Sequence, residues 1–198
     1  MIVTGLDLSL TGTGAVRIDT QRREIVERAL FTSKPPTAVP SPSSRTKKPK
    51  MIQLLWDRAL RLNRLQRDIV NFAQLSDLVV FEAPSFGSVG GHKHDRSGLF
   101  YMIAGEVLAT ICPIAEVPPT TLKLYVTGDG GADKSQMIAT LNREWPSLSS
   151  RNDNVVDAAG LALMGARAMG EPVDIDASWK TRAMGSVLWP ENTRERTA

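Results

Sequence analysis

The sequence predicts an α/β fold: a mixed five-stranded sheet, three antiparallel strands followed by two parallel ones, flanked by helices. Three observations carry that expectation. Three apolar runs lie close together before residue 33, so their strands should pair as hairpins. A helix-period stretch from Met51 to Leu75 is followed by the short apolar run Leu78-Val79-Val80-Phe81. That order implies a right-handed crossover to a strand parallel to the first. Helix and strand then recur, from Asp95 to about Cys112 and from Ile114 to Val117.

In the first strand Val3, Leu6, Leu8 and Leu10 are apolar, and Gly12 and Gly14 mark a tight turn into the second, Thr13 to Asp19. Asp7 interrupts this run. A carboxylate in an apolar strand is costly to ionise unless a basic group or a metal meets it. A third strand spans Ile25 to Thr32. Five prolines and only one large apolar residue, Val39, mark Ser33 to Lys50 as a flexible loop without a packed element, one able to order on a partner. Its basic run, Arg45, Lys47, Lys48 and Lys50, continues as Arg58, Arg61, Arg64 and Arg67 on the following helix, whose apolar face includes Leu55, Leu62, Leu65, Ile69 and Phe72. The basic run suits a phosphate backbone, and it equally suits plain solvated charge.

The fourth strand ends in a second acid, Glu82, at the carboxyl end where active groups of open α/β sheets gather. Ala83 to His94 holds three glycines and two histidines and reads as a flexible loop leaving that site. His92 and Lys93 are candidates for phosphate contact; His92 and His94 lack the third histidine or second cysteine of a transition-metal site. Phe86 could stack on a base or fold back on the core. Asp95 can cap the next helix, where Gly98 and Gly105 suggest close approach and a wide apolar stripe could serve both the core and a dimer partner. Pro118-Pro119 stops strand pairing. A shorter helix, Asp133 to Trp145, follows Gly128-Asp129-Gly130-Gly131, which has neither Walker nor dinucleotide spacing. The last helix runs from Asp153 to Met169. Beyond Glu171 only Trp179, Val187, Leu188 and Trp189 offer anchors. The expected organisation is one domain over residues 1–170, with the insertion at 33–50, and a tail at 171–198.

Composition narrows the class. At 198 residues, 42% hydrophobic and 23% charged, the chain suits one globular domain. No apolar run is long enough for a membrane span, and the N-terminus lacks the basic start and apolar core of a signal peptide, so a cytoplasmic protein without membrane contact is expected. Cys112 is the only cysteine and reads as a buried structural thiol. The net charge of +3 hints only weakly at a polyanionic partner.

Asp7, Glu82, Asp153 and Asp157 form the candidate constellation. Asp153 and Asp157 stand at i, i+4 and share a helical face, although Asp153 also reads as an N-cap. Carboxylates brought together raise one another's pKa unless divalent cations neutralise them. All-oxygen ligands select Mg²⁺ or Mn²⁺, and two such ions about 4 Å apart suit in-line phosphodiester cleavage.

Four segments carry a resemblance: the Asp7 strand with its Thr11-Gly12-Thr13-Gly14 turn, the strand ending in Glu82, Pro119 to Lys123 through Thr127 to Lys134, and Asp153 to Ala159. In that order they resemble the RuvC family of Holliday-junction resolvases, across residues 3 to about 166. The resemblance implies a ribonuclease-H-like fold, a homodimer, and Mg²⁺-dependent nicking at four-way junctions or other branched DNA. It makes Asp7, Glu82 and Asp157 metal ligands, and Lys123 and Lys134, eleven residues apart, backbone or transition-state cations. Phe86 takes the place of an aromatic used at the junction centre. Two features depart from the bacterial pattern. Asn154 stands three residues before Asp157 and the acid Asp153 four before, and the insertion at 33–50 is additional. Both are consistent with a phage-type branch acting in the cytoplasm of an infected bacterium, with broader branch specificity. A junction-binding protein with an impaired metal site is the alternative. Sugar kinases and actin-like ATPases share the opening motif but require a second, similar domain.

Overall fold

A computed structural model describes residues 1–42, 51–84 and 93–191, with Lys93 by its backbone alone. Strands β1 (Ile2–Asp7), β2 (Gly12–Asp19) and β3 (Glu24–Thr32) pair antiparallel in sequence. A three-residue hairpin, β4 (Ala38–Pro40) with β5 (Met51–Gln53), stands apart as its own small sheet. Helix α1 (Leu55–Ala73) crosses back to β6 (Leu78–Glu82), which lies parallel to β1. Helix α2 (Lys93–Ala109) then leads to β7 (Ile114–Val117), parallel to β6. The order across the sheet is β3-β2-β1-β6-β7, the expected mixed five-stranded arrangement. Helices α3 (Pro119–Thr127), α4 (Lys134–Glu144), α5 (Asp153–Ala168) and α6 (Ser178–Met184) complete the described chain.

Alternation along the strands sorts the core into two layers. Leu6, Ala15, Val79 and Phe81 pack against Leu65, Ile69 and Phe72 of α1 and Leu99, Ile103 and Val107 of α2. Val3, Val16, Ile18, Leu78 and Val80 face the opposite way, onto α5, with α3 and α4 behind it. By the same alternation Asp7 and Glu82 belong to the α5 face. Helix α5 is apolar almost all round, as a helix enclosed on several sides must be. Two glycines let it approach the sheet: a Cβ on Gly5 would lie 2.0 Å from the Ala158 carbonyl oxygen, and one on Gly14 would lie 1.9 Å from that of Asn154. Any side chain at either position would push α5, and Asp157 with it, away from β1.

Several local expectations are corrected. The helix begins at Leu55, because Met51–Gln53 pairs with Ala38–Pro40, and the Gln53 side chain donates to the Pro36 carbonyl at 3.0 Å. The insertion therefore holds a strand despite its prolines; residues 43–50, including Arg45, Lys47 and Lys48, lie outside the described residues. Asp95 is not a cap but a buried acid in the first turn of α2, paired with Arg58. A methyl group on Gly98 or Gly105 would meet nothing within 4 Å, so neither glycine serves a close approach. Helices α3 and α6 are additions. Pro119 opens α3 at its first turn, where a missing N–H costs nothing, so the Pro-Pro pair ends one element and begins another. The tail packs on the α5 layer through Val173, Ala183 and Val187, whereas Leu188 is exposed. Cys112 is buried, its thiol donating to the Ser76 carbonyl at 3.2 Å, and burial raises its pKa to about 11. Among the described residues no helix is long and apolar enough to cross a membrane.

Candidate active site

Parallel strands β1 and β6 end side by side, and their last residues are Asp7 and Glu82. The first turns of α5 lie over these ends, held there by the bare backbone of Gly5 and Gly14. Asn152 supplies the N-cap, its side chain accepting from the Val155 amide at 3.1 Å. Asp153 is thus free of the capping role the sequence allowed it. The Asn154 amide donates to the Gly12 carbonyl, tying α5 to the turn after β1, and Ser9 and Thr13 close that turn through hydrogen bonds of 3.0 and 2.8 Å. Asp157 stands one turn further in.

These residues line one cleft of about 370 Å³. Asp7, Glu82, Asp153 and Asp157 line it together with Lys123 of α3, Lys134 of α4 and Arg96 of α2. Lys134 is presented by a capping box at the start of α4, in which Asp133 accepts from the Gln136 amide at 2.9 Å and Gln136 accepts from the Asp133 amide at 2.8 Å. Gly128, at φ +84°, ends α3 in the left-handed conformation that turns the chain toward α4.

Electrostatically the cleft is an acid cluster short of compensation. Burial pushes the Asp7 carboxyl above its ordinary value despite a hydrogen bond with Glu82. Burial and the Asp7 charge raise Glu82 to about 9, and burial with the charges of Asp7 and Asp153 raises Asp157 to about 7. Asp153 behaves differently. Its hydrogen bond from Lys134 holds it below the usual carboxylate range and raises the lysine in turn. A hydrogen bond between two carboxyls needs a proton, and Asp153 is turned to its lysine. Among the described residues, no three acidic, imidazole or thiol groups are grouped so as to hold an ion.

The donor chemistry nevertheless fits a hard divalent cation. Every candidate ligand is a carboxylate oxygen, and the burial and mutual repulsion that keep protons on Glu82 and Asp157 are what a bound dication would offset. Such an ion would compete for the same oxygens that now share a proton.

No protein-family model matches the chain, and no curated protein matches its sequence. Solved structures do match. Thermus thermophilus RuvC superimposes with a TM-score of 0.62 at 14% identity, over 88% of this chain and 100% of that one. The fold is that of the RuvC resolvases. T. thermophilus RuvC in complex with Holliday junction substrate gives a TM-score of 0.60 at 15% identity, covering 82% of this chain and 90% of that one. The fowlpox virus resolvase with its substrate Holliday junction DNA gives 0.52 at 15% identity, covering 85% and 98%. The ribonuclease-H-like architecture expected from four short motifs is therefore present at an identity too low for sequence comparison to find it.

Of the expected site residues, Asp7, Glu82, Asp153, Asp157, Lys123 and Lys134 meet in one cleft. Phe86 and His92 lie outside the described residues, as does the side chain of Lys93. Arg96 was not singled out from the sequence. It follows the loop after Glu82 within the first turn of α2, and a cation at that place facing two strand-end acids was the available signal.

Proposed function

We propose that this chain is a divalent-metal-dependent endonuclease that nicks phosphodiester bonds at four-way junctions and other branched DNA. The observation that carries the reading is the convergence of three acids, buried Asp7 of β1 and half-buried Glu82 of β6 and Asp157 of α5, with Lys123 and Lys134 in one cleft of a RuvC-like fold. Asp7, Glu82 and Asp157 would hold Mg²⁺ or Mn²⁺, with Asp153 as a further oxygen donor once released by Lys134. When bound, such ions supply an activated water and a stabilised leaving oxygen.

The chain's own residues do the rest. Glu82 and Asp157 must lose their protons before they can ligate, so activity should rise with pH. Lys123, Lys134 and Arg96 bring positive charge to the cleft wall and can meet the nonbridging oxygens of a phosphate set against the acids. Ser9 and Pro84 line the same cleft beside the acids.

A homodimer suits this substrate, since two cleavage centres are needed to cut symmetrical strands. Helix α2 supports it: Tyr101 and Leu108 are 70% and 53% exposed on its outward side, and Ile111 just beyond it is 92% exposed. Action in the cytoplasm, on the DNA of a bacterium or an infecting phage, belongs to the same proposal.

The test uses an end-labelled four-way junction and a matching linear duplex, each with Mg²⁺ and with EDTA, read on a denaturing gel. Paired nicks in the junction alone, and only with metal, are expected. Binding without cleavage in both Mg²⁺ and Mn²⁺ would overturn the nuclease and leave a junction-binding protein.

A further inference from the structure

Helix α1 begins with an unusual surface. Leu54, Leu55 and Trp56 are 50%, 75% and 72% exposed, and Met51 and Leu60 beside them are exposed as well. No side chain caps the helix start. Among the described residues the Trp56 indole makes no hydrogen bond and no ring contact, and it leaves a large amphipathic surface open to a partner.

Its position is fixed relative to the cleft by two ties. Two residues after Trp56, Arg58 donates from Nε to Asp95 at 3.0 Å, and Asp95 adjoins Arg96 of the cleft wall. One turn later, Arg61 donates to the Leu10 carbonyl at 2.5 Å and to the Ser33 hydroxyl at 2.7 Å, and Leu10 adjoins cleft-lining Ser9. The start of α1 is thereby fastened to the chain neighbours of two cleft-lining residues, Ser9 and Arg96. Behind the indole, Leu60, Arg64 and Arg67 follow at spacings of four, four and three, on the same helical face. Arg64 and Arg67 are exposed, and the stripe from Trp56 to Arg67 spans about 16 Å. Asp57 and Asp68 flank it: they line a groove together with Lys34, Arg61 and the stripe's own Leu60 and Arg64. Asp68 accepts from Arg67 Nε at 3.4 Å, an exposed pair weak enough for a phosphate to displace.

An exposed aromatic followed by guanidinium groups is the pairing by which proteins hold an unpaired strand, bases stacking on the ring and phosphates on the cations. We propose that Trp56 is a stacking platform for an unpaired base at the branch point, with Arg64 and Arg67 on the phosphates of the strand leaving the cleft. The inference rests on the branched-DNA reading above and adds a selectivity element to it. Trp56 lies outside the metal cluster, so it selects the branch and leaves the chemistry to the cleft.

The experiment titrates wild-type, Trp56→Ala and Trp56→Phe proteins against a fluorescent four-way junction and a linear duplex of the same sequence, in EDTA, with sedimentation velocity on each protein. Trp56→Ala should weaken junction binding about tenfold and leave duplex binding within about twofold, as loss of one base stack implies. Trp56→Phe should recover most of the loss, with sedimentation unchanged. Unaltered junction binding, or equal loss on both substrates, would overturn the platform while leaving the nuclease reading standing. A changed association state in Trp56→Ala would overturn it in favour of a protein contact. If the wild-type protein bound neither DNA, both readings would fall.

Discussion

The cleft and the tail both bury carboxylates, and they handle them in opposite ways. At the tail, Asp174 receives Lys180 at 2.6 Å, the Tyr125 hydroxyl at 2.8 Å and Arg167 at 2.8 Å. Lys180 also reaches Glu144 at 3.5 Å and stands 5.0 Å over the Tyr125 ring, while Arg167 holds Asp176 at 2.5 Å. Side chains of Asp174 and Lys180 are 1% exposed, yet each charge has an opposite one in contact. In the cleft the acids chiefly face one another, and burial with mutual repulsion drives their pKa values up. A fold that can neutralise one buried cluster so fully has not done so at the other. Compensated burial fastens the tail to the body; uncompensated burial in the cleft is what the proposed cation site requires.

Substitutions should separate the two clusters. Asp7→Asn should lower junction cleavage by at least about a thousandfold, measured under single turnover, because ligand geometry is lost while the basic surface remains. Junction affinity should stay within about threefold; retained cleavage would remove Asp7 from the metal site. Asp174→Ala should reverse that profile, costing about 3–5 kcal/mol in urea unfolding because Lys180 is left buried beside a single distant acid. Asp7→Asn should instead raise metal-free stability, since it removes a buried charge and its repulsion while the amide oxygen can still accept from Glu82. A smaller effect is expected from Lys134→Ala. If the lysine meets charge developing on the phosphate, cleavage falls about a hundredfold with little loss of binding, whereas an equal fall in both assigns it to the backbone.

The same contrast explains what the sequence made legible. Asp7 stood out because it interrupts an apolar run and Glu82 because it ends one, and apolar periodicity is a local signal that survives without knowledge of the partner; that β1 stops at Asp7 is seen only in the structure. Asp157 stood out among Val155, Val156, Ala158 and Ala159 for the same reason. The tail network was invisible. Lys180 sits in a short polar helix, and its burial depends on Asp174, Glu144 and Tyr125 arriving from three other segments. Helix α3 was missed because Pro118-Pro119 reads as a stop and Thr120, Thr121 and Val126 are β-branched; packing of Leu122, Tyr125 and Val126 on the core overrides propensity there. The hairpin of Ala38–Pro40 with Met51–Gln53 is too short for any period to register.

Thermal unfolding of the metal-free protein between pH 6 and pH 9, with and without millimolar Mg²⁺ or Mn²⁺, tests the uncompensated cluster most directly. The folded values of Asp157, about 7, and Glu82, about 9, lie above their ordinary 3.8 and 4.5. The protonated carboxyls therefore stabilise the fold fully at low pH, and that contribution is withdrawn as the pH rises through about 7 and then about 9. The expected result is a midpoint that falls toward pH 9 without metal and is restored by the divalent ion, most strongly at the alkaline end, with Asp7→Asn losing the restoration. A metal-free midpoint flat across this range, together with no shift on adding either ion, would contradict the cleft as a cation site.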